Sequence, residues 1–249
     1  EMQRSLVGSE MCIRDSYDDE QFNEDRVELL NSMEEQGVGT IVNVSAAYNS
    51  CRKVIALAKE YPFVYAAVGI HPDEVGSLNE ETFAQMKELF KEEKVVAVGE
   101  IGLDYYWDKE PEVQAAQREW FVRQLALAGE TDLPVIIHSR DAAEDTMRIL
   151  KETGRFREHP GVIHCYSYSP EQAKEYVKMG YCIGVGGVVT FKNAKKLKQT
   201  VEQISLEHIL LERRTARIWR QSRTGEPAMI PPISLMWQPG LRRSKESLC

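Results

Sequence analysis

Apolar residues in this chain fall into short unbroken runs, separated by longer stretches of helical spacing. The runs are Thr40-Ile41-Val42-Asn43-Val44, Phe63-Val64-Tyr65-Ala66-Ala67-Val68, Val95-Val96-Ala97-Val98, Val135-Ile136-Ile137-His138, Val162-Ile163-His164-Cys165, Tyr181-Cys182-Ile183-Gly184-Val185 and His208-Ile209-Leu210-Leu211-Glu212. Short, β-branched and nearly continuous, they read as strands buried on both faces, the kind found in parallel sheets. Between them the period changes. Asp18 or Asp19 caps a helix whose Phe22, Val27, Leu30 and Met33 lead to Gly37, and Val54, Ile55, Leu57 and Ala58 stripe a helix over Ser50–Glu60. Further helices are predicted over Glu80–Phe90, Pro111–Gly129 (proline being acceptable in a first turn), Ala142–Lys151, from Ser169-Pro170 onward, and over Lys192–Gln203. Seven strands alternating with helices are βαβ units. One more strand before Tyr17 makes eight, so the predicted fold is an α/β TIM (β/α)8 barrel whose first strand and last helix are lost or replaced.

Composition narrows this picture. A length of 249 residues with 43% hydrophobic content supports one large domain. No apolar run approaches the roughly 20 residues of a membrane span. Five scattered cysteines, Cys12, Cys51, Cys165, Cys182 and Cys249, lack metal or disulfide spacing and suit a reducing, cytoplasmic setting. The net charge of −8 argues against a broad non-specific nucleic-acid surface, but not against a polyanion held through metal ions. From Arg213 onward eight Lys and Arg face two acidic residues, so the last 37 residues carry +6 and the preceding ones −14.

The strand ends carry the chemistry. His71, Glu100, His138, His164 and Glu212 each close or directly follow an apolar run. In a parallel barrel such positions converge on one mouth. Glu100 stands where the Val95–Val98 run stops, between Gly99 and Gly102. A carboxylate there is costly unless it is paired or holds a cation. Taken alone, it reads as a salt-bridged strand end; the histidines reverse that reading. The other two, His159 and His208, precede strands and belong to the opposite face. Two imidazoles and a carboxylate suit a divalent ion of the zinc or manganese type. A bridging glutamate lets a second ion sit about 3.5–4 Å away and clamp a phosphoester displacement.

Gly69-Ile70-His71-Pro72, Val98-Gly99-Glu100-Ile101-Gly102-Leu103-Asp104-Tyr105-Tyr106, Ile137-His138-Ser139-Arg140 and Ile163-His164-Cys165 together resemble the successive signatures of the TatD family, over Tyr17 to Glu212. The resemblance implies a metal-dependent deoxyribonuclease on a TIM barrel, using two divalent ions (Mg, Mn or Zn type) with DNA as substrate. It implies Glu100 as the bridging ligand, with His138 and His164 as ligands of one ion. Glu100, His71 and Asp104 are then the catalytic set, and Arg140 and Tyr105 the substrate-binding set. Arg140 has an alternative, pairing with Asp141 or Asp145, and Asp104 an alternative of orienting a ligand histidine. Tyr105, Tyr106 and Trp107 either stack bases or cover the core. Lys192, Lys195, Lys196 and Lys198 read as a solvated helix face, and Gly184, Gly186 and Gly187 as close backbone packing.

Both ends depart from the family. Its first strand ends His-x-His, where Arg14 and Ser16 stand here, and its last ends Glu-Thr-Asp, where Arg213 and Arg214 follow Glu212. Residues 1–16 resemble a translated sequencing-library adapter. The tail from Arg213 is permitted by a change of reading frame that restores Thr-Asp-Ser-Pro-Tyr-Leu-Ala. The expected organisation is therefore a non-native segment at 1–16, a hydrolase domain at 17–212 and a frameshifted tail at 213–249, a chain short of three ligands, for which loss of activity is one expected outcome. Two competing functions are hydrolysis of a small ester, amide or lactone, and a metal-binding remnant without turnover.

Overall fold

Each unbroken apolar run becomes a strand, and each stretch of helical spacing a helix laid against it. The computed structural model describes residues 23–33, 39–153 and 160–212. The expectations on residues 1–16 and 213–249, with Arg14, Ser16 and Arg214, lie outside these, as do Asp18, Asp19, Phe22, Gly37 and His159. The helices are α1 (Arg26–Ser32), α2 (Tyr48–Glu60), α3 (Glu80–Leu89), α4 (Pro111–Thr131), α5 (Ala143–Thr153), α6 (Pro170–Lys178) and α7 (Lys195–Gln203). The strands are β1 (Ile41–Val44), β2 (Val64–Val68), β3 (Val95–Asp104), β4 (Val135–Arg140), β5 (Gly161–Ile163), β6 (Cys182–Gly186) and β7 (Ile209–Glu212). They form one sheet in the order β1 to β7, every pair parallel. Sequential parallel strands with helical crossovers form a curled, TIM-barrel-like sheet.

Two boundaries differ from the sequence reading in ways that matter. Glu100 and His138 lie inside β3 and β4 rather than at their ends. The cause is a bulge: Val98 pairs Val135 and Ile101 pairs Ile137, so three residues of β3 span two of β4. Such a bulge bends the strand and re-aims the extra residue while the ladder continues beyond it. The segment predicted as one helix from Lys192 begins only at Lys195, after a 3-10 turn over Gly187–Thr190. His208 sits just before β7, at the amino end of that strand as expected.

The core forms two clusters joined through α4. Trp120 and Leu127 pack with Val54, Val64, Phe83 and Met86, whereas Phe121 and Ala128 pack with Ile101, Ile137, Leu150 and Tyr176. Each such large side chain contributes about 1.5–3 kcal/mol by leaving water. No helix among the described residues is long and apolar enough to cross a membrane.

Candidate metal centre

Glu100, His138 and His164 meet at the mouth. His138 Nδ1 is 3.1 Å and His164 Nε2 4.0 Å from the same atom, Glu100 Oε1. The second nitrogen of each ring is held from behind by another carboxylate. His138 Nε2 is 2.9 Å from Asp104 Oδ2, and His164 Nδ1 is 2.9 Å from Glu212 Oε1. An outer carboxylate fixing one nitrogen while the other faces inward is how metal-bound histidines are oriented. A cation between His138 Nδ1 and Glu100 Oε1 would replace the proton that these atoms otherwise share. Ligand atoms gather in two separate groups, buried His71, Glu100 and His138, and half-buried His164, Cys165 and Glu212, linked by the 4.0 Å approach of His164 Nε2 to Glu100 Oε1. The donor set fits a divalent ion of intermediate softness.

Local backbone devices put these groups in place. Gly102 has φ of +143°, and a Cβ there would fall 1.9 Å from the His138 carbonyl oxygen, so only glycine lets β3 and β4 approach at this level. At Gly184 a Cβ would meet Glu212 Oε1 at 2.0 Å; the missing side chain makes room for the carboxylate that grips His164. That explains Gly184 as a packing device, whereas a Cβ at Gly186 would meet only the Glu212 carbonyl oxygen at an ordinary 3.9 Å. Glu212 Oε2 also accepts the Cys165 backbone N–H at 2.9 Å. Ser45 Oγ donates to the Gly69 carbonyl and accepts its N–H, tying the β1 and β2 ends together below His71.

Two buried glutamines on α4 were not singled out from the sequence. Gln117 Oε1 accepts the Asp104 N–H at 2.9 Å, while its Nε2 donates to the Asp104 carbonyl at 3.2 Å. Gln124 clamps Ile70 in the same two-point manner, Oε1 to N–H at 2.8 Å and Nε2 to the carbonyl at 3.2 Å. One helix thus fixes the backbone on which both His71 and Asp104 stand. The available signal was two amides seven residues apart on a face otherwise made of Trp120, Phe121, Leu127 and Ala128.

Burial and charge set the protonation states. His71 is fully buried, its ring edge-on to His138 with centroids 4.3 Å apart. Burial, then the His138 charge, depresses its pKa from 6.5 to about 3, so it is neutral. Its Nδ1 accepts the Asp73 N–H at 3.3 Å, which assigns the proton to Nε2. That Nε2 is buried without a hydrogen-bond partner among the described residues, a donor left for something else. Burial alone would raise the Glu100 carboxyl, but His164 and then His138 hold it well below the usual carboxylate range. Asp104 is likewise lowered against its burial by the hydrogen bond to His138, that imidazole's charge, and the N–H groups of Trp107 and Tyr106.

The expected substrate contacts divide. Tyr105 is set back: its hydroxyl donates to Asp145 Oδ2 at 2.7 Å and accepts from Arg118 Nη1 at 2.9 Å, while its ring packs on the second core cluster. Its polar end is committed to that network rather than to the mouth. Asp145 is also engaged by Arg148, and the Arg140 guanidinium instead lies 3.8 Å over the Tyr106 ring. Lys192, Lys195 and Lys196 are exposed, as read from the sequence, whereas Lys198 is half-buried and its Nζ donates to the Phe191 carbonyl at 2.8 Å.

Comparison with known proteins shows the family. A family model described as TatD related DNase matches residues 16–229. The metal-dependent hydrolase YabD of Bacillus subtilis is 44% identical over 193 residues, 78% of this chain and 74% of that protein. A 3'-5' ssDNA/RNA exonuclease TatD of Cronobacter sakazakii is 30% identical, covering 86% of this chain and 83% of that one. The crystal structure of the Escherichia coli TatD homologue YjjV superposes with a TM-score of 0.73 at 35% identity, over 81% of this chain and 77% of that one.

Proposed function

This chain belongs to the TatD family of metal-dependent hydrolases, and on that footing we propose that its mouth hydrolyses phosphodiester bonds of DNA. The observation that carries the reading is the shared atom: two imidazoles, each backed by its own carboxylate, turn toward Glu100 Oε1. Glu100, His138 and His164 would hold the ion. When bound, such an ion supplies Lewis acidity and brings the ionisation of water near neutral pH. A phosphodiester is the ester whose two non-bridging oxygens, sharing one negative charge, profit most from the remaining groups. The His71 Nε2–H, neutral and buried, donates to a phosphoryl oxygen without bringing a second charge into the pocket. The Arg140 guanidinium, steadied on the Tyr106 ring, binds the other. Asp104 keeps the His138 ring from rotating while substrate exchanges. The exonuclease relative from Cronobacter sakazakii supports a nucleic-acid substrate.

The test is digestion of an end-labelled oligonucleotide with Mg2+, Mn2+ or Zn2+ added. It is run on the chain as it stands and on the triple variant Arg14→His, Ser16→His, Arg214→Asp. Cleavage by either protein that stops with chelator and with Glu100→Gln is expected. Turnover of small esters or lactones without oligonucleotide cleavage would overturn the reading.

A further inference from the structure

The loop after β3 places an aromatic and cationic cluster beside the metal centre, and one carboxylate joins the two. Asp104 uses its oxygens in opposite directions: Oδ2 holds His138 Nε2 at 2.9 Å, and Oδ1 accepts the backbone N–H groups of Tyr106 at 2.9 Å and Trp107 at 3.2 Å. Trp107 stays 51% exposed, its ring edge-on to Tyr106 with centroids 4.8 Å apart. Arg140 reaches both rings, at 3.8 Å from the Tyr106 centroid and 5.3 Å from that of Trp107. The Arg140 backbone is itself fixed, pairing with Asp104 in the β3–β4 ladder. A surface-only cation–π contact would satisfy the arginine, but it gives no reason for a tryptophan to remain half in water beside a buried polar centre. Flat rings and a guanidinium at such a place match the two parts of a nucleotide, its base and its phosphate.

We propose that Trp107 and Tyr106, with Arg140, form a stacking platform for the nucleobase adjoining the phosphate at the metal centre. Asp104 is the positioning residue that sets the platform's distance from that centre. The platform rests on the DNA reading above and specifies how the strand lies: the base turned out against the rings, its phosphate toward His71 and Glu100. Stacking tolerates any base, so this contact discriminates base from no base rather than one sequence from another.

Fluorescence anisotropy with a labelled thymidine tetranucleotide and its abasic counterpart of equal charge, in Ca2+, tests this. Trp107→Ala should weaken the base-bearing oligonucleotide about tenfold, the scale of one base stacked on one ring, and leave the abasic one unchanged. Trp107→Phe, which keeps a ring, should recover most of the loss and excludes a folding defect. Equal losses on both oligonucleotides, or none on either, would overturn the platform while leaving the DNA reading intact. If the unaltered protein binds neither oligonucleotide, the DNA reading itself falls and takes the platform with it.

Discussion

His138 and His164 do the same thing in different surroundings. Both turn one ring nitrogen toward Glu100 and give the other to a carboxylate. His138 sits within β4, its side chain 3% exposed, against the His71 ring and against an Asp104 whose backbone Gln117 clamps. His164 follows the three-residue β5, its side chain 21% exposed and about an ångström further from Glu100. Its Glu212 partner stands at the end of β7, its Oε2 held by the Cys165 N–H but its backbone clamped by no side chain among the described residues. One ligand is set by the core before any ion arrives; the other can adjust. A centre built this way has a fixed reference and an adaptable arm.

The largest effect should come from removing what the two sides share. Glu100→Gln is expected to weaken Zn2+ or Mn2+ binding by at least about 100-fold in calorimetry, more than loss of any outer partner. Unchanged affinity would mean that the histidines bind elsewhere.

Next comes the contrast itself. Asp104→Asn and Glu212→Gln should each cost about 10–100-fold in metal affinity, with Asp104 at the upper end because it holds the more buried of the two imidazoles. The reverse ranking would invert the assignment of fixed and adjustable ligands.

Gln117→Leu should lower unfolding free energy by about 1–2 kcal/mol in urea titration, since the Asp104 N–H and carbonyl lose their partner while buried. A null result would remove α4 as the clamp.

The smallest test is a pH slope. With a pKa of about 3 in the fold against 6.5 unfolded, His71 stays neutral while the unfolded chain takes up a proton. Its contribution is fully present above 6.5 and is lost as pH falls through that window, at up to about 1.4 kcal/mol per unit. Asp73, pushed up to about 6 chiefly by burial and then by Asp104, acts oppositely, stabilising most at low pH. Comparing the protein with His71→Gln at pH 7 and pH 5 isolates the imidazole; parallel stabilities would refute its buried neutral state.

Much of the fold was legible because a strand buried on both faces writes itself as an unbroken apolar run, independent of its neighbours. Ile41–Val44 and Val64–Val68 needed nothing from elsewhere in the chain. The site was legible in part for a related reason: histidines and a glutamate adjoining such runs must lie at one rim. What escaped depends on partners distant in sequence. The β3 bulge exists only against the count of β4. The grip of Glu212 on His164 spans 48 positions, and Gln124 reaches 54 positions back to Ile70. Tyr105 and Trp107 were interchangeable as sequence; Arg118 and Asp145 separate them in space.

The extra residue in β3 makes the centre intolerant of a change in chain length. Side chains along a strand point alternately to opposite faces, so deleting one residue between Val98 and Ile101 would restore one-to-one pairing with β4 and reverse the parity of everything on one side of the cut. Either the acid and Asp104 or the apolar run that anchors them would then face the wrong way. Substitution can weaken this hydrolase by degrees, whereas a single-codon deletion here would separate its chemistry from its core in one step.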